Sequence, residues 1–81
     1  MTVSAKGEYA IKAMLDLALI DDGETLQPIQ DIARRQGIPQ RYLEQVLLGL
    51  KRAGFLYSRR GSAGGYRLAK APDQITVGAL L

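Results

Sequence analysis

Arg41 is followed three and four residues on by Glu44 and Gln45, then by Leu48 and Arg52, the spacing that lines up side chains on one face of a helix. A guanidinium, a carboxylate, an amide and a branched apolar tip on one face form a set with a definite chemistry. Arginine bonds guanine bidentately, glutamine pairs with adenine, glutamate accepts from the cytosine amino group, and leucine meets the thymine methyl. Glu44 is the informative member, because a lone carboxylate among arginines repels phosphate and weakens indiscriminate binding to a polyanion. Its simpler role would be an exposed pair with a neighbouring arginine, and such pairs contribute little.

A second group is Arg59-Arg60-Gly61, at the root of a glycine-rich turn, Gly61-Ser62-Ala63-Gly64-Gly65. An arginine there suits a narrow minor groove, where the negative potential is strongest. The alternative is a pair of solvated strand-end charges, and strand alternation would put Arg59 on the face opposite Arg60. Lys6 with Ser4 at the start of the first helix could hold a phosphate; simple capping by Ser4 would account for the serine equally well. Arg67 and Lys70 are candidates for phosphate contacts or for none.

These residues lie in a lopsided field. Nine basic residues and one acid, Glu44, fall between Arg34 and Lys70, a local charge of +8, while the first 33 residues carry −4. Such a dipolar distribution favours a polyanionic partner. The chain has no Cys and no His, so neither a conventional zinc site nor the usual nucleophile–base pairs can be assembled from it. The glycine-rich turn lacks the Gly-Lys-Ser/Thr of a phosphate-cradling loop, and Asp21, Asp22 and Glu24 lack the twelve-residue calcium-loop pattern. An enzyme is not expected. No apolar run reaches the roughly 18 residues of a membrane span, and there is no signal-peptide pattern, which makes a cytoplasmic location the default.

The elements that must position these groups can be read from periodicity. A first helix is expected over about 4–20. Glu8, Lys12 and Asp16 form a charged stripe on it, and an apolar arc of Tyr9, Ala10, Ala13, Met14, Leu17 and Ala18, flanked by Ile11 and Leu15, is wide enough to touch both a core and a further helix. Thr25-Leu26-Gln27 could be a short strand. A second helix is expected over about 28–36, with Pro28 at its first position, Ile29, Ile32 and Ala33 inward and Gly37 as its cap. A third runs over about 40–53, closed by Gly54, with Tyr42, Leu43, Val46, Leu47, Leu50 and Ala53 on its inward side and Lys51 at the margin. Strands flanking the glycine turn complete a hairpin over about 55–70. The fold class is thus mostly α with a small β-hairpin, a winged helix-turn-helix in one domain of 81 residues. Thr76 can cap a further helix over about 76–81. One turn is not stable alone, so the sequence is expected to be a piece of something longer.

Three segments carry a resemblance to a known family: SAKGEYAIKAMLDLAL, IARRQGIPQRYLEQVLLGLKRAGF and RRGSAGGYRLAKAPDQITVGALL. Together they resemble the Rrf2 family of bacterial transcription regulators over essentially the whole chain. YLEQ before a hydrophobic helix, followed by RG-x-x-GGY-x-L, is the specific combination. The resemblance implies a homodimer on double-stranded DNA with a partly palindromic operator, a recognition helix in the major groove and a wing in the minor groove. It maps recognition onto Arg41, Tyr42, Glu44 and Gln45, and the wing contact onto Arg60 and Gly61. It further implies dimerisation through a long helix C-terminal to Leu81, where many members also hold an iron–sulfur cluster on three cysteines; others have no cluster. In some members an acidic residue at the position of Glu8 ligates the partner's cluster, although an ordinary charge pair of Glu8 with Lys12 explains the residue as well. Repression and activation both stay open. The competing expectation is a winged helix that docks on protein or RNA instead of duplex DNA.

Overall fold

The computed structural model describes residues 5–69. Its elements are α1 (Ala5–Leu19), α2 (Ile29–Gln36), α3 (Gln40–Arg52), β1 (Leu56–Arg59) and β2 (Gly65–Leu68). The expected helix over 76–81, the capping role of Ser4 and any contact of Lys70 lie outside the described residues.

Helices α2 and α3 begin and end by the same local devices. Each follows a proline whose carbonyl accepts the first helical hydrogen bonds: Pro28 from Asp31 and Ile32 at 3.1 and 3.3 Å, Pro39 from Tyr42 and Leu43 at 3.0 and 3.1 Å. Pro28 therefore stands just before α2, at its N-cap, one position earlier than expected. Each helix closes through a left-handed glycine, Gly37 or Gly54, and the residue after it reaches back across the last turn. The Ile38 N–H donates to Ala33 O at 3.1 Å, and the Phe55 N–H donates to Leu50 O at 3.0 Å. Ile38 is buried and Phe55 packs against the core, so the two reversals are held by apolar contact as well.

The core joins all five elements. Ala13, Met14 and Leu17 of α1 meet Ile32 of α2, Ile38 of the turn, Leu43, Val46, Leu47 and Leu50 of α3, and Leu56 and Leu68 of the hairpin. Burying four apolar side chains of α3 at this helical spacing turns Arg41, Glu44, Gln45, Leu48 and Arg52 outward. Tyr42 and Ala53, expected on the inward side, are exposed instead: they sit at the edges of the buried stripe. On α1, Leu15 and Leu19 are likewise exposed, at 57% and 86%, one turn apart on the side away from the core.

Strands β1 and β2 pair antiparallel, with Leu56 opposite Leu68 and Arg59 opposite Gly65. The segment expected as a short strand contributes one bridge, at Gln27. The Gln27 N–H donates to Tyr66 O at 2.8 Å and the Tyr66 N–H to Gln27 O at 2.9 Å. Gly65 explains why this approach is possible: its φ is 151°, and a Cβ there would collide with the Gln27 and Pro28 backbone. At Gly64 a Cβ would collide with the Arg59 carbonyl across the hairpin. Both glycines thus serve the chain's own close contacts, so ligand approach is not needed to explain them.

Candidate nucleic-acid interface

The exposed face of α3 is one half of the candidate site. Arg41, Glu44, Gln45, Leu48, Lys51 and Arg52 are all exposed on it. Among the described residues no ion pair reaches Glu44, so the simpler role considered for it, pairing with a neighbouring arginine, is not what the structure shows. Leu48 is 42% exposed, an apolar tip left in water by the burial of Leu43, Val46, Leu47 and Leu50 around it.

Arg41 is not a free side chain. Its guanidinium carbon lies 4.9 Å from the centre of the Tyr42 ring, and Nη2 is 3.4 Å from the Tyr42 hydroxyl. The Tyr42 ring in turn stacks on Tyr9 of α1, with centroids 6.5 Å apart and planes 26° apart. A groove of about 340 Å³ opens beside this stack, lined by Ala5, Lys6, Tyr9, Tyr42, Gln45 and Val46. It brings Lys6 of α1 alongside Gln45 of α3, two residues 39 positions apart in the sequence.

The other half lies between α3 and the wing. A cleft of about 520 Å³ has Lys51 and Leu48 on one side and Arg59, Arg60 and Gly61 on the other. Strand β1 ends at Arg59, and both Arg59 and Arg60 are exposed and line the cleft. Gly61 is exposed at the hairpin turn, with φ 109°.

Several cations of the basic segment are already engaged within the fold. Arg34 pairs with Asp31 at 2.9 Å. Arg67 lies over the Tyr57 ring at 4.3 Å and donates to Leu68 O at 3.1 Å. Arg35 donates from Nε and Nη2 to the Asp16 carboxylate at 3.0 and 2.8 Å, and Gln36 Nε2 adds a third bond at 3.0 Å. Asp16 is thus buried, and it drops out of the surface stripe expected with Glu8 and Lys12. Burial pushes its carboxyl pKa up, but the bonds from Arg35 and Gln36 and the arginine charge outweigh burial and hold it below the ordinary value of 3.8. Sequence spacing concealed this clip, since its members lie 19 and 20 positions apart on different helices.

The acidic turn before α2 is satisfied by its own chain. Asp22 accepts from the Glu24 and Thr25 N–H groups at 2.8 and 2.6 Å and from the Thr25 hydroxyl, and these bonds lower its pKa to about 2. Among the described residues no three Asp, Glu, Cys or His side chains gather to hold a metal. Glu8 is exposed in the first turn of α1. Among the described residues no helix is long and apolar enough to cross a membrane.

Comparison with known proteins agrees with this arrangement. Residues 3–81 match the family model described as Rrf2, iron-dependent transcriptional regulator. The HTH-type transcriptional regulator IscR of Aliivibrio salmonicida is 48% identical over 82 residues, covering all of this chain and 48% of that protein. Among solved structures, CymR, the global cysteine regulator of B. subtilis, superposes with a TM-score of 0.91 at 38% identity, over 99% of this chain and 61% of that one. IscR of T. potens gives 0.88 at 45% identity, over 99% and 58%. The chain spans about half the length of the curated relatives it matches. With the helix-turn-helix and its hairpin in place and a family model matched along nearly its whole length, the chain belongs to the Rrf2 family of transcriptional regulators.

Proposed function

We propose that these residues form the DNA-reading part of a transcriptional regulator, with α3 in the major groove and the hairpin as a wing in the adjacent minor groove. One observation carries this: the uncovered face of α3 presents Arg41, Glu44, Gln45, Leu48 and Arg52, and it adjoins a cleft where Lys51, Arg59 and Arg60 converge. Arg41 and Gln45 read purines, Glu44 accepts from a cytosine amino group, Leu48 meets a thymine methyl, and Tyr42 walls the face at its N-terminal end. Arg60, beside Gly61, enters the minor groove. Lys6, Arg52 and Arg59 neutralise flanking phosphates and fix the register. No catalysis is assigned to any of these groups.

The relatives are about twice as long. We assign dimerisation to a helix C-terminal to Leu81 and, with it, a partly palindromic operator with half-sites about 34 Å apart or a multiple of that. Without Cys or His, these 81 residues do not offer an iron–sulfur cluster its ligands, and Glu8 alone does not change that. Where the intact protein carries a cluster, its cysteines belong to that C-terminal part. A duplex-DNA partner in a bacterium places the protein in the cytoplasm.

The test is a salt titration of the intact protein on a duplex that it selects from a randomised pool. A phosphate-binding protein loses affinity linearly in log–log form, with a slope that counts neutralised phosphates. A steep slope and a reproducible selected sequence are expected. A shallow slope with no selected sequence would instead favour docking on protein.

A further inference from the structure

Tyr9 lies on α1, away from the outward row of α3, and no reading of the sequence gave it a part in recognition. In the structure it is the base of a three-member stack. Its ring is half-buried against the core, the exposed Tyr42 ring lies on it at 6.5 Å, and the Arg41 guanidinium covers Tyr42 at 4.9 Å. An exposed arginine ordinarily samples many rotamers, and each must be surrendered on binding. A guanidinium held over an aromatic face has surrendered part of that freedom beforehand. Tyr42 can provide that face only if its own ring is held, and Tyr9, anchored on the core, holds it.

From this geometry we infer that Tyr9 is a positioning residue for DNA recognition: through Tyr42 it presets the Arg41 guanidinium to meet a base edge. The inference rests on the DNA-binding function proposed above and deepens it, since it makes specificity at one base pair depend on a side chain of another helix. Lys6 and Gln45, which flank the same stack, leave Arg41 as its only cation in ring contact among the described residues.

The test is a double-mutant cycle in the intact protein, with Tyr9→Leu, Arg41→Ala and the double variant measured on the selected duplex and on an unselected one. Tyr9→Leu is expected to weaken the selected duplex by about three- to tenfold and leave the unselected one within about twofold. In the Arg41→Ala background Tyr9→Leu should have no further effect, and Tyr9→Phe should restore binding, because the ring and not the hydroxyl supports the stack. Should Tyr9→Leu disturb folding, seen as a lowered melting temperature, Tyr9→Met fills the same space without a flat ring and gives the same readout. Additive losses in the cycle, or equal losses on both duplexes, would overturn the positioning role. An Arg41→Ala protein with undiminished preference would overturn it too; that single variant shows that the fault lies in the recognition role of Arg41.

Discussion

Asp16 and Glu44 are two carboxylates with opposite circumstances. Asp16 is buried and takes three hydrogen bonds from α2, so its loss strands the Arg35 guanidinium and opens a polar gap between helices. Asp16→Ala is expected to destabilise the fold by about 2–4 kcal/mol, whereas Arg34→Ala, which breaks only an exposed pair, should stay within about 0.5 kcal/mol; urea melts distinguish them. The folded pKa of Asp16 is depressed, so its contribution is present above the unfolded value near 3.8 and lost as pH falls through the lower folded one. The stability gap between wild type and Asp16→Ala should therefore narrow below about pH 4. Glu44 is exposed and unpaired among the described residues, so it can be removed with little effect on folding. Glu44→Ala should broaden the selected sequence and tighten binding to unselected DNA; an unchanged sequence preference would remove its reading role. Sequence spacing brought out Glu44 because neighbours on one helix reveal an outward face. The Asp16 clip and the Tyr9–Tyr42 stack stayed hidden because they join distant helices, and only packing brings those together.

At the scale of elements, the helices and the hairpin were legible because their signals are local: prolines before α2 and α3, glycines after them, and apolar positions at helical intervals. Local signals do not show how narrow the buried strip of α3 is, and periodicity alone therefore places Tyr42 and Ala53 inward. The glycines of the wing show the same limit. Their clustering marked a turn, but the reason for Gly65 lies in the Gln27 backbone, 38 residues earlier. Gly65→Ala is expected to cost on the order of 2–3 kcal/mol in hairpin stability, from the strained φ and the collision together, and should speed amide exchange at Gln27 and Tyr66. Gly61→Ala meets no neighbour and should be the milder change, affecting φ alone.

At the scale of the whole molecule, the basic segment carries less free charge than its composition suggests. Arg35 and Arg67 are engaged by Asp16 and by the Tyr57 ring, and Arg34 is paired at the surface with Asp31. Arg41, Lys51, Arg52, Arg59 and Arg60, with Lys6, remain on the outward faces of α1, α3 and the wing. Arg52→Gln should reduce the log–log salt slope by roughly one for each copy of the chain bound, and Arg34→Gln should leave it unchanged. The bridge between Gln27 and Tyr66 bears on how these charges act together. It stitches the far arm of the hairpin to the stretch of chain that leads through Pro28 into α2, so the jaws on either side of the cleft share one frame. Two backbone bonds thus hold the arginine-bearing arm at a set spacing from the helices, and a duplex is met by a gauge of fixed width.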